Sequence, residues 1–221
     1  MSNRIDDTNY LSHIYIDKLF PKINGVLLNN LLIDYESISY ITTPYESKKI
    51  LDIISKHISK YKQPKESNIV DATGGVGGDS ISFCTIFSSV ISIELDSKRY
   101  GYLKHNLEQY NFKNYTIING DSNIIIPKLQ YIDVIYIDPP WGGKCYKTKD
   151  NLRLSLGDIN IEMFILNCYN NEITISSLKV ITLKLPKNYD LKYLFEMLNE
   201  KFDIYLYELK KINIIIIEKK E

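Results

Sequence analysis

Residues 70–79 read Val70-Asp71-Ala72-Thr73-Gly74-Gly75-Val76-Gly77-Gly78-Asp79 and connect a short apolar strand to a helix. The glycines of this loop let the backbone pass close to a ligand, because no Cβ stands in the way. A dinucleotide-binding fingerprint would need another glycine three residues after Gly77, where the chain has Ser80. The Lys-Ser/Thr pair of a phosphate-binding P-loop does not follow either. The loop therefore predicts a ligand that has no phosphate group.

The sequence after this loop alternates between strand and helix patterns. Strands are predicted at residues 68–72, 90–95, 115–119, 132–137, 178–185, 203–209 and 212–218, and helices at residues 79–87, 97–111, 121–129 (a short helix within this range), 158–170 and 191–198. Strands separated by helices pair in parallel through right-handed crossovers. The last two strands are separated only by Lys210-Lys211, so they must form a hairpin. We therefore predict an α/β fold with a doubly wound, mostly parallel seven-stranded sheet and one antiparallel strand near its edge.

The first 65 residues differ from the rest of the chain. Residues 12–20 have the apolar spacing of a helix, and a second helix begins at Thr43-Pro44 and runs to Ile58. Thr43 can cap this helix, and proline suits its first position. We predict that residues 1–65 form a small helical extension that contributes to the substrate and cofactor site, and that residues 66–221 form the main domain.

Acidic residues follow the first three predicted strands. Asp71 ends the first strand, Glu94 ends the second, and Asp121 follows the third. The carboxyl ends of strands in open α/β sheets are where ligands bind. Asp71 could accept a hydrogen bond from an ammonium group, Glu94 from two ribose hydroxyls and Asp121 from an adenine amine. With a glycine loop that suits a ligand without phosphate, this order predicts an S-adenosyl-L-methionine site containing Asp71, Gly75, Gly77, Glu94 and Asp121.

Asp138-Pro139-Pro140-Trp141-Gly142-Gly143 follows the fourth strand. The amine of a nucleic-acid base is a poor nucleophile, because its lone pair is delocalised into the ring. Hydrogen-bond acceptors aimed at its N–H groups would direct that lone pair towards a methyl donor, and we predict that Asp138 and the carbonyl of Pro139 are these acceptors. The prolines restrict φ and so preset the direction of the carbonyl. Trp141, with Pro140 beside it, is predicted to contact the base.

The composition argues against several classes of protein. Lys plus Arg equals Asp plus Glu at 27 each, so the chain lacks the basic surplus of proteins that grip long stretches of nucleic acid. The three cysteines and three histidines are too scattered for a disulfide framework or a metal cluster. No apolar run reaches the roughly 18 residues of a membrane span, and the first 20 residues lack a signal-peptide core. We expect a soluble, intracellular monomer of the cytoplasm or nucleus that uses no metal.

Two motifs of the chain resemble those of the trimethylguanosine synthases, which are RNA cap guanine-N2 methyltransferases. The glycine loop at residues 71–79 looks like the family's first motif, and residues 139–143 look like its Pro-Pro-Trp-Gly-Gly signature. Residues 18–28 are similar to a family segment that precedes the catalytic domain, and Thr43-Pro44 resembles the start of a family helix. The resemblance covers roughly residues 15–185. It implies a class I, Rossmann-like methyltransferase fold.

The resemblance also implies a substrate, the N2 amine of a 7-methylguanosine cap on RNA that is contacted mainly at the cap. It implies that Trp141 stacks on the methylated base, and that Asp138, Pro139 and Thr43 join the cofactor site. The family usually has Ser where this chain has Asp138, and two alternatives to cap methylation stay open. One is a methyltransferase for another base amine, either adenine N6 or guanine N2 in ribosomal RNA, transfer RNA or DNA. The other is a catalytically silent binding subunit, against which the acidic residues argue.

Overall fold

The computed structural model describes residues 16–169 and 177–220. Seven strands of one sheet are β1 (Asn68–Asp71), β2 (Ser89–Glu94), β3 (Tyr115–Asn119), β4 (Val134–Ile137), β7 (Val180–Pro186), β8 (Phe202–Glu208) and β9 (Ile212–Lys219). A separate hairpin consists of β5 (Ser155–Leu156) and β6 (Ile159–Asn160).

The order of the seven-stranded sheet is β3-β2-β1-β4-β7-β9-β8. Every neighbouring pair from β3 to β7 is parallel. Strand β9 runs antiparallel to β7 on one side and to β8 on the other. The predicted doubly wound, mostly parallel sheet is therefore confirmed, with its single antiparallel strand next to the edge.

Helices cover both faces of the sheet. They are α1 (residues 16–19 of its described part), α2 (Pro44–Ile58), α3 (Gly78–Cys84), α4 (Ser97–Gln109), α5 (Ser122–Ile125), α6 (Ile161–Tyr169) and α7 (Leu191–Leu198). Short 3-10 turns occur at Leu28–Asn30, Ser37–Ser39, Pro64–Glu66, Ile126–Lys128 and Gly143–Thr148. The predicted helical residues 12–15 and 170 lie outside the described part of the chain.

The alternation of side chains along the central strands divides the core into two layers. In β4, Ile135 and Ile137 pack in the layer that contains α6 and α7, whereas Val134 and Tyr136 pack in the layer that contains α2, α3 and α4. All four residues of β4 are buried. A strand buried on both faces reads as a continuous apolar run, which is why its sequence shows no polar alternation.

The N-terminal segment packs on the second of these layers. Ile16, Phe20 and Leu31 are at most 2% exposed and share one apolar cluster with Val76 of the glycine loop. The buried Asn106 of α4 adds polar links to the same segment. Its Oδ1 accepts a hydrogen bond from Leu32 N at 2.7 Å, and its Nδ2 donates to Leu32 O and Val76 O at 2.8 Å each. The Asn106 side chain therefore links the extension to the glycine loop by hydrogen bonds, in addition to the apolar contacts.

One predicted element is wrong at its start. We expected a helix over residues 158–170, but the helix begins at Ile161. Asp158 lies in the turn of the β5–β6 hairpin, where Gly157 has φ of +59°. The two-residue strands of this hairpin are too short to produce an alternating pattern in the sequence.

Among the described residues, no helix combines the length and the apolar character that a membrane span requires.

Candidate active site

The four acidic residues predicted to form a site meet at one edge of the sheet. Asp71 and Glu94 are the last residues of β1 and β2, Asp121 follows β3, and Asp138 follows β4. These four strands are neighbours and run parallel, so their carboxyl ends lie side by side. This edge is where doubly wound sheets bind ligands.

The glycine loop bends sharply between β1 and α3. Gly75 and Gly77 have φ of +54° and +104°, which only glycine adopts without strain. The Gly74 N–H donates to Ile93 O at 2.8 Å and fixes the loop against β2. A Cβ added at Gly75 would approach only Thr73 O, at 4.0 Å. The space beside Gly75 is therefore open, as a site for a closely approaching ligand requires.

Glu94 lies directly beside this loop. Its Oε2 accepts a hydrogen bond from Gly75 N and its Oε1 one from Asp96 N, both at 2.8 Å. Burial raises the pKa of Glu94, while these two backbone N–H groups oppose the rise. Each carboxylate oxygen can accept more than one hydrogen bond. Glu94 therefore shapes the loop and still has acceptor capacity for hydroxyl groups of a ligand.

Asp71 is placed differently, because it is only 1% exposed. Its Oδ2 accepts a hydrogen bond from Ser80 Oγ at 2.5 Å, and its Oδ1 accepts one from Thr73 N at 3.2 Å. Burial, followed by the neighbouring charge of Asp79, raises the pKa of Asp71 to about 7. In this structure Asp71 holds the glycine loop, and its direct contact with a cofactor stays a prediction.

Asp121 caps the short helix α5, and its Oδ1 accepts from Asn123 N at 2.8 Å. The β5–β6 hairpin lies next to it. A Cβ added at Gly157 would come within 3.4 Å of Asp121 Oδ2 and 2.8 Å of Asn123 Nδ2. Asn123 Nδ2 also donates a hydrogen bond to Leu156 O. The hairpin, which the sequence did not reveal, therefore forms one wall beside Asp121.

Thr43 caps α2, as its sequence position predicted. Its Oγ1 accepts from Glu46 N at 3.4 Å and donates to Glu46 Oε2 at 3.0 Å. A role of Thr43 in cofactor binding stays a prediction. The residue before it reaches further into the site, since Thr42 is buried and its hydroxyl donates to Asp79 Oδ2 at 2.5 Å.

Asp138 begins the loop after β4. Its backbone N–H donates to Thr73 Oγ1 at 2.9 Å, which joins this loop to the glycine loop. Its Oδ2 accepts from Lys184 Nζ at 2.6 Å, and its side chain is 22% exposed. Burial raises the pKa of Asp138 to about 6, against the lowering influence of the Lys184 ammonium. Asp138 is therefore a negatively charged acceptor at neutral pH.

The rest of this loop has a buried start and an exposed middle. Pro139 is buried, Pro140 is exposed and Trp141 is half-buried. The Trp141 ring packs edge-on against Tyr146, with 5.0 Å between ring centroids. Its Nε1 is buried and makes no hydrogen bond, although the indole N–H is close enough to favour the charged form of Asp138. Trp141 thus packs against a neighbouring ring and combines apolar surface with a polar group beside the predicted acceptor.

Sequence reasoning missed one charged residue of the site. Lys184 lies in β7, where every residue is buried, and its ammonium contacts Asp138 and Thr42. A lysine is almost never fully buried unless it is paired. The signal was therefore present in Val180-Ile181-Thr182-Leu183-Lys184-Leu185, where one lysine interrupts an apolar strand.

Comparisons with solved structures agree with this architecture. A human methyltransferase 10 domain containing protein superposes with a TM-score of 0.60 and 15% sequence identity, covering 81% of this chain and 84% of that one. A Streptococcus mutans protein solved in complex with SAH superposes with a TM-score of 0.52 and 19% identity, covering 77% and 97%. The fold is that of the class I S-adenosylmethionine-dependent methyltransferases.

Comparisons of sequence identify the family. The family model for RNA cap guanine-N2 methyltransferase matches residues 66–220. An uncharacterised protein of Acanthamoeba polyphaga mimivirus is 31% identical over 220 residues, which are 91% of this chain and 84% of that protein. The trimethylguanosine synthase of Schizosaccharomyces pombe is 36% identical over 168 residues, which are 73% of this chain and 65% of the yeast protein. The chain belongs to the RNA cap guanine-N2 methyltransferase family.

Proposed function

We propose that this protein transfers a methyl group from S-adenosyl-L-methionine to the N2 amine of a 7-methylguanosine RNA cap. The product would be a di- or trimethylguanosine cap. One observation carries the proposal: Asp138 and Trp141 stand at the carboxyl edge of the sheet, in a loop hydrogen-bonded to the glycine loop through Thr73. The family and the similarity to a yeast trimethylguanosine synthase support it.

The residues at this edge fit the cofactor. The open space beside Gly75 admits a ligand close to the backbone, and the half-buried Glu94 and Asp121 offer carboxylate oxygens at the neighbouring strand ends. We assign Glu94 to the ribose hydroxyls and Asp121 to the adenine amine. Asp71, whose carboxylate accepts hydrogen bonds from Thr73 and Ser80, supports the glycine loop, to which we assign the amino-acid end of the cofactor.

The reaction joins the base nitrogen to a methyl carbon. When bound, S-adenosyl-L-methionine would supply this carbon on a positively charged sulfur, which would keep the electron pair of the broken C–S bond. The base nitrogen contributes its lone pair to the new N–C bond and must then lose one proton. We assign Asp138 as the acceptor of that proton, because its carboxylate is ionised at neutral pH. The Pro139 carbonyl is assigned to the second N–H group of the amine before transfer.

Recognition of the cap is assigned to Trp141. A guanine methylated at N7 carries a positive charge spread over its ring, and Trp has the most favourable aromatic face for a cation. The stacking of a base on an aromatic residue is worth about 1–3 kcal/mol. Cation–π attraction adds about 0.5–1 kcal/mol at a partly exposed site. The zero net charge of the chain fits a contact confined mainly to the cap.

A second candidate is methylation of another base amine, such as adenine N6 or guanine N2 in other RNA or DNA. The observation that favours it is Asp138, since the resembled family usually has Ser before its Pro-Pro pair. The charged acceptor at this position would serve any exocyclic amine.

Methyl transfer to three substrates separates these candidates. Radiolabelled S-adenosyl-L-methionine would be supplied with a 7-methylguanosine cap analogue, an unmethylated guanosine cap analogue and an adenine-containing RNA. The proposal requires transfer to the first substrate and much less to the others. Transfer to adenine, or equal transfer to both cap analogues, would favour the second candidate.

Binding to variants of Trp141 provides a further test. The stacking and cation–π contributions predict that Trp141→Ala raises the Kd for the methylated analogue about tenfold to several hundredfold. Trp141→Phe should give an intermediate value. Affinity for S-adenosylhomocysteine should be unchanged in both variants, which provides the control for folding. A wild type that binds both cap analogues equally would contradict cap recognition.

A further inference from the structure

Lys184 is a charged residue in a strand that is otherwise part of the core. Its side chain is 5% exposed, and its six companions in β7 are also buried. A buried ammonium is costly unless it is paired and hydrogen-bonded. Replacing it by an apolar residue would suit the core better, so its presence requires an explanation beyond packing.

The contacts of Lys184 supply that explanation. Its Nζ donates to Asp138 Oδ2 at 2.6 Å and to Thr42 Oγ1 at 2.7 Å. The Thr42 hydroxyl in turn donates a hydrogen bond to Asp79 Oδ2, which also accepts one from Tyr136 OH at 2.9 Å. The Lys184 ammonium thus lies between Thr42 of the N-terminal extension and Asp138 of the loop after β4. These contacts form one continuous polar network.

This network leaves the two oxygens of Asp138 in different states. Oδ2 accepts from Lys184 at 2.6 Å, whereas among the described residues the further donor near the carboxylate is the Trp141 indole N–H, which makes no hydrogen bond of ordinary geometry. The side chain is 22% exposed, so a ligand can reach it. The Asp138 backbone is fixed in turn by Thr73 Oγ1.

We propose that Lys184 is a positioning residue for methyl transfer. It holds Asp138 in a fixed and negatively charged form and leaves Oδ1 to accept a hydrogen bond, and then the proton, from the target amine. The assignment of the amine rests on the proposed function, but the dependence of Asp138 on Lys184 does not. The reaction itself is the one described above: the N–C bond forms, the C–S bond breaks with its electrons on sulfur, and the amine loses one proton towards Asp138.

The acidic groups around Lys184 favour its charged form, and this charge in turn acts on Asp138. Burial works to lower the pKa of Lys184, but Asp138 and Asp79 together raise it above its ordinary value. Asp79 of α3 and the more distant Glu46 of α2 are the further acidic groups that act on Lys184, and Tyr136 of β4 contacts Asp79. Since burial already raises the pKa of Asp138 to about 6 with the ammonium present, its removal would raise that pKa further.

The test compares Lys184→Met, which removes the charge, with Lys184→Arg, which keeps it. Lys179→Met is the matched control, because Lys179 is exposed just before the same strand. The first measurement is the carboxyl titration of Asp138 by carbon NMR, assigned with Asp138→Asn, and it needs no substrate. An opposite charge at this distance shifts a carboxyl pKa by about 1–3 units, so Lys184→Met should raise the midpoint by that amount.

The second measurement is methyl transfer as a function of pH. A rise of about 2 units would lower the ionised fraction of Asp138 at pH 7 about tenfold, and kcat should fall with it. KM and the affinity for S-adenosylhomocysteine should stay within about twofold. Raising the pH should restore kcat in Lys184→Met, which the loss of a purely structural contact would not allow. Lys184→Arg and Lys179→Met should retain most of the activity.

A double variant completes the test. If Lys184 acts through Asp138, then Asp138→Asn and Asp138→Asn/Lys184→Met should have equal kcat. The double variant removes both charges of the Lys184–Asp138 pair, while Asp79 keeps its hydrogen bonds from Thr42 and Tyr136, so this comparison remains possible even if Lys184→Met alone does not fold. An unchanged Asp138 midpoint in Lys184→Met, or a further loss of kcat in the double variant, would overturn the proposal. A wild type that methylates no cap analogue would instead count against the proposed function, while the NMR titration would still decide the role of Lys184.

Discussion

Asn106→Ala tests how strongly the N-terminal segment is attached to the glycine loop. The Asn106 side chain is 0% exposed and makes three hydrogen bonds, two to the backbone of Leu32 and one to Val76 O. Alanine removes all three and leaves one N–H and two carbonyl groups without their partner. Helix propensity does not oppose the change, because alanine is the better helix former.

The expected loss of stability follows from these three groups. Each buried polar group that loses its partner costs about 1–3 kcal/mol. Water that enters the vacated space would satisfy part of the lost bonding, so we expect a total of about 3–5 kcal/mol. For a domain of this size each kcal/mol corresponds to about 2–4 °C in Tm, which predicts a decrease of about 6–20 °C.

Urea denaturation followed by circular dichroism would measure this loss. Asn29→Ala is the matched control, because Asn29 is an exposed residue of the same N-terminal segment and should change stability by less than about 0.5 kcal/mol. Asn106→Asp keeps the shape of the side chain but replaces the donor to Leu32 O and Val76 O by an acceptor, so it should be at least as destabilised. A loss below about 1 kcal/mol in Asn106→Ala would refute the view that this side chain attaches the extension.

Three further predictions concern the site. Burial raises the pKa of Asp138 to about 6, which places the acid limb of kcat/KM near pH 6, with activity present above that pH and lost below it; a kcat/KM that is flat from pH 5 to 8 would contradict a role for the ionised carboxylate. Glu94→Ala should raise the Kd for S-adenosylhomocysteine about tenfold or more by calorimetry, since hydrogen bonds to a charged group are worth about 1.5–3 kcal/mol, and unchanged affinity would remove Glu94 from the site. Gly78→Ala should cost about 1–3 kcal/mol because its Cβ would lie 2.8 Å from Ile41 Cγ1, whereas Gly101→Ala, with nothing within 4 Å, should be neutral or stabilising. Equal stability of these two glycine variants would show that Ile41 of the extension does not pack tightly against Gly78.

The polar network around Lys184 also gives the N-terminal extension a chemical connection to the site. Thr42, which belongs to the extension, contacts both Lys184 and Asp79. We therefore propose that residues 1–65 act with the main domain as part of one site. Substitutions of Asn106 that weaken the attachment of the N-terminal segment should then affect methyl transfer as well as stability, because the same segment contains Thr42.

The amino-acid sequence by itself determined the fold class and the acidic edge. Alternation of strand and helix patterns requires parallel strands, and a residue that ends a parallel strand necessarily lies at the carboxyl edge. For this reason Asp71, Glu94, Asp121 and Asp138 could be placed together without knowledge of strand order. The glycine loop and the Pro-Pro-Trp loop were likewise readable, because their backbone requirements are local.

Only the tertiary structure decided which of these groups face one another. Lys184 and Thr42 are 142 residues apart in the chain, and their contact depends on the pairing of β7 with β4 and on how the N-terminal segment packs against the sheet. Periodicity describes which face of a strand is buried but carries no information on its neighbours. The same reason explains why the sequence did not predict that Asp71 is enclosed by Ser80 and Thr73. Local patterns placed the acidic residues at the site, and long-range packing decided their partners and their charge.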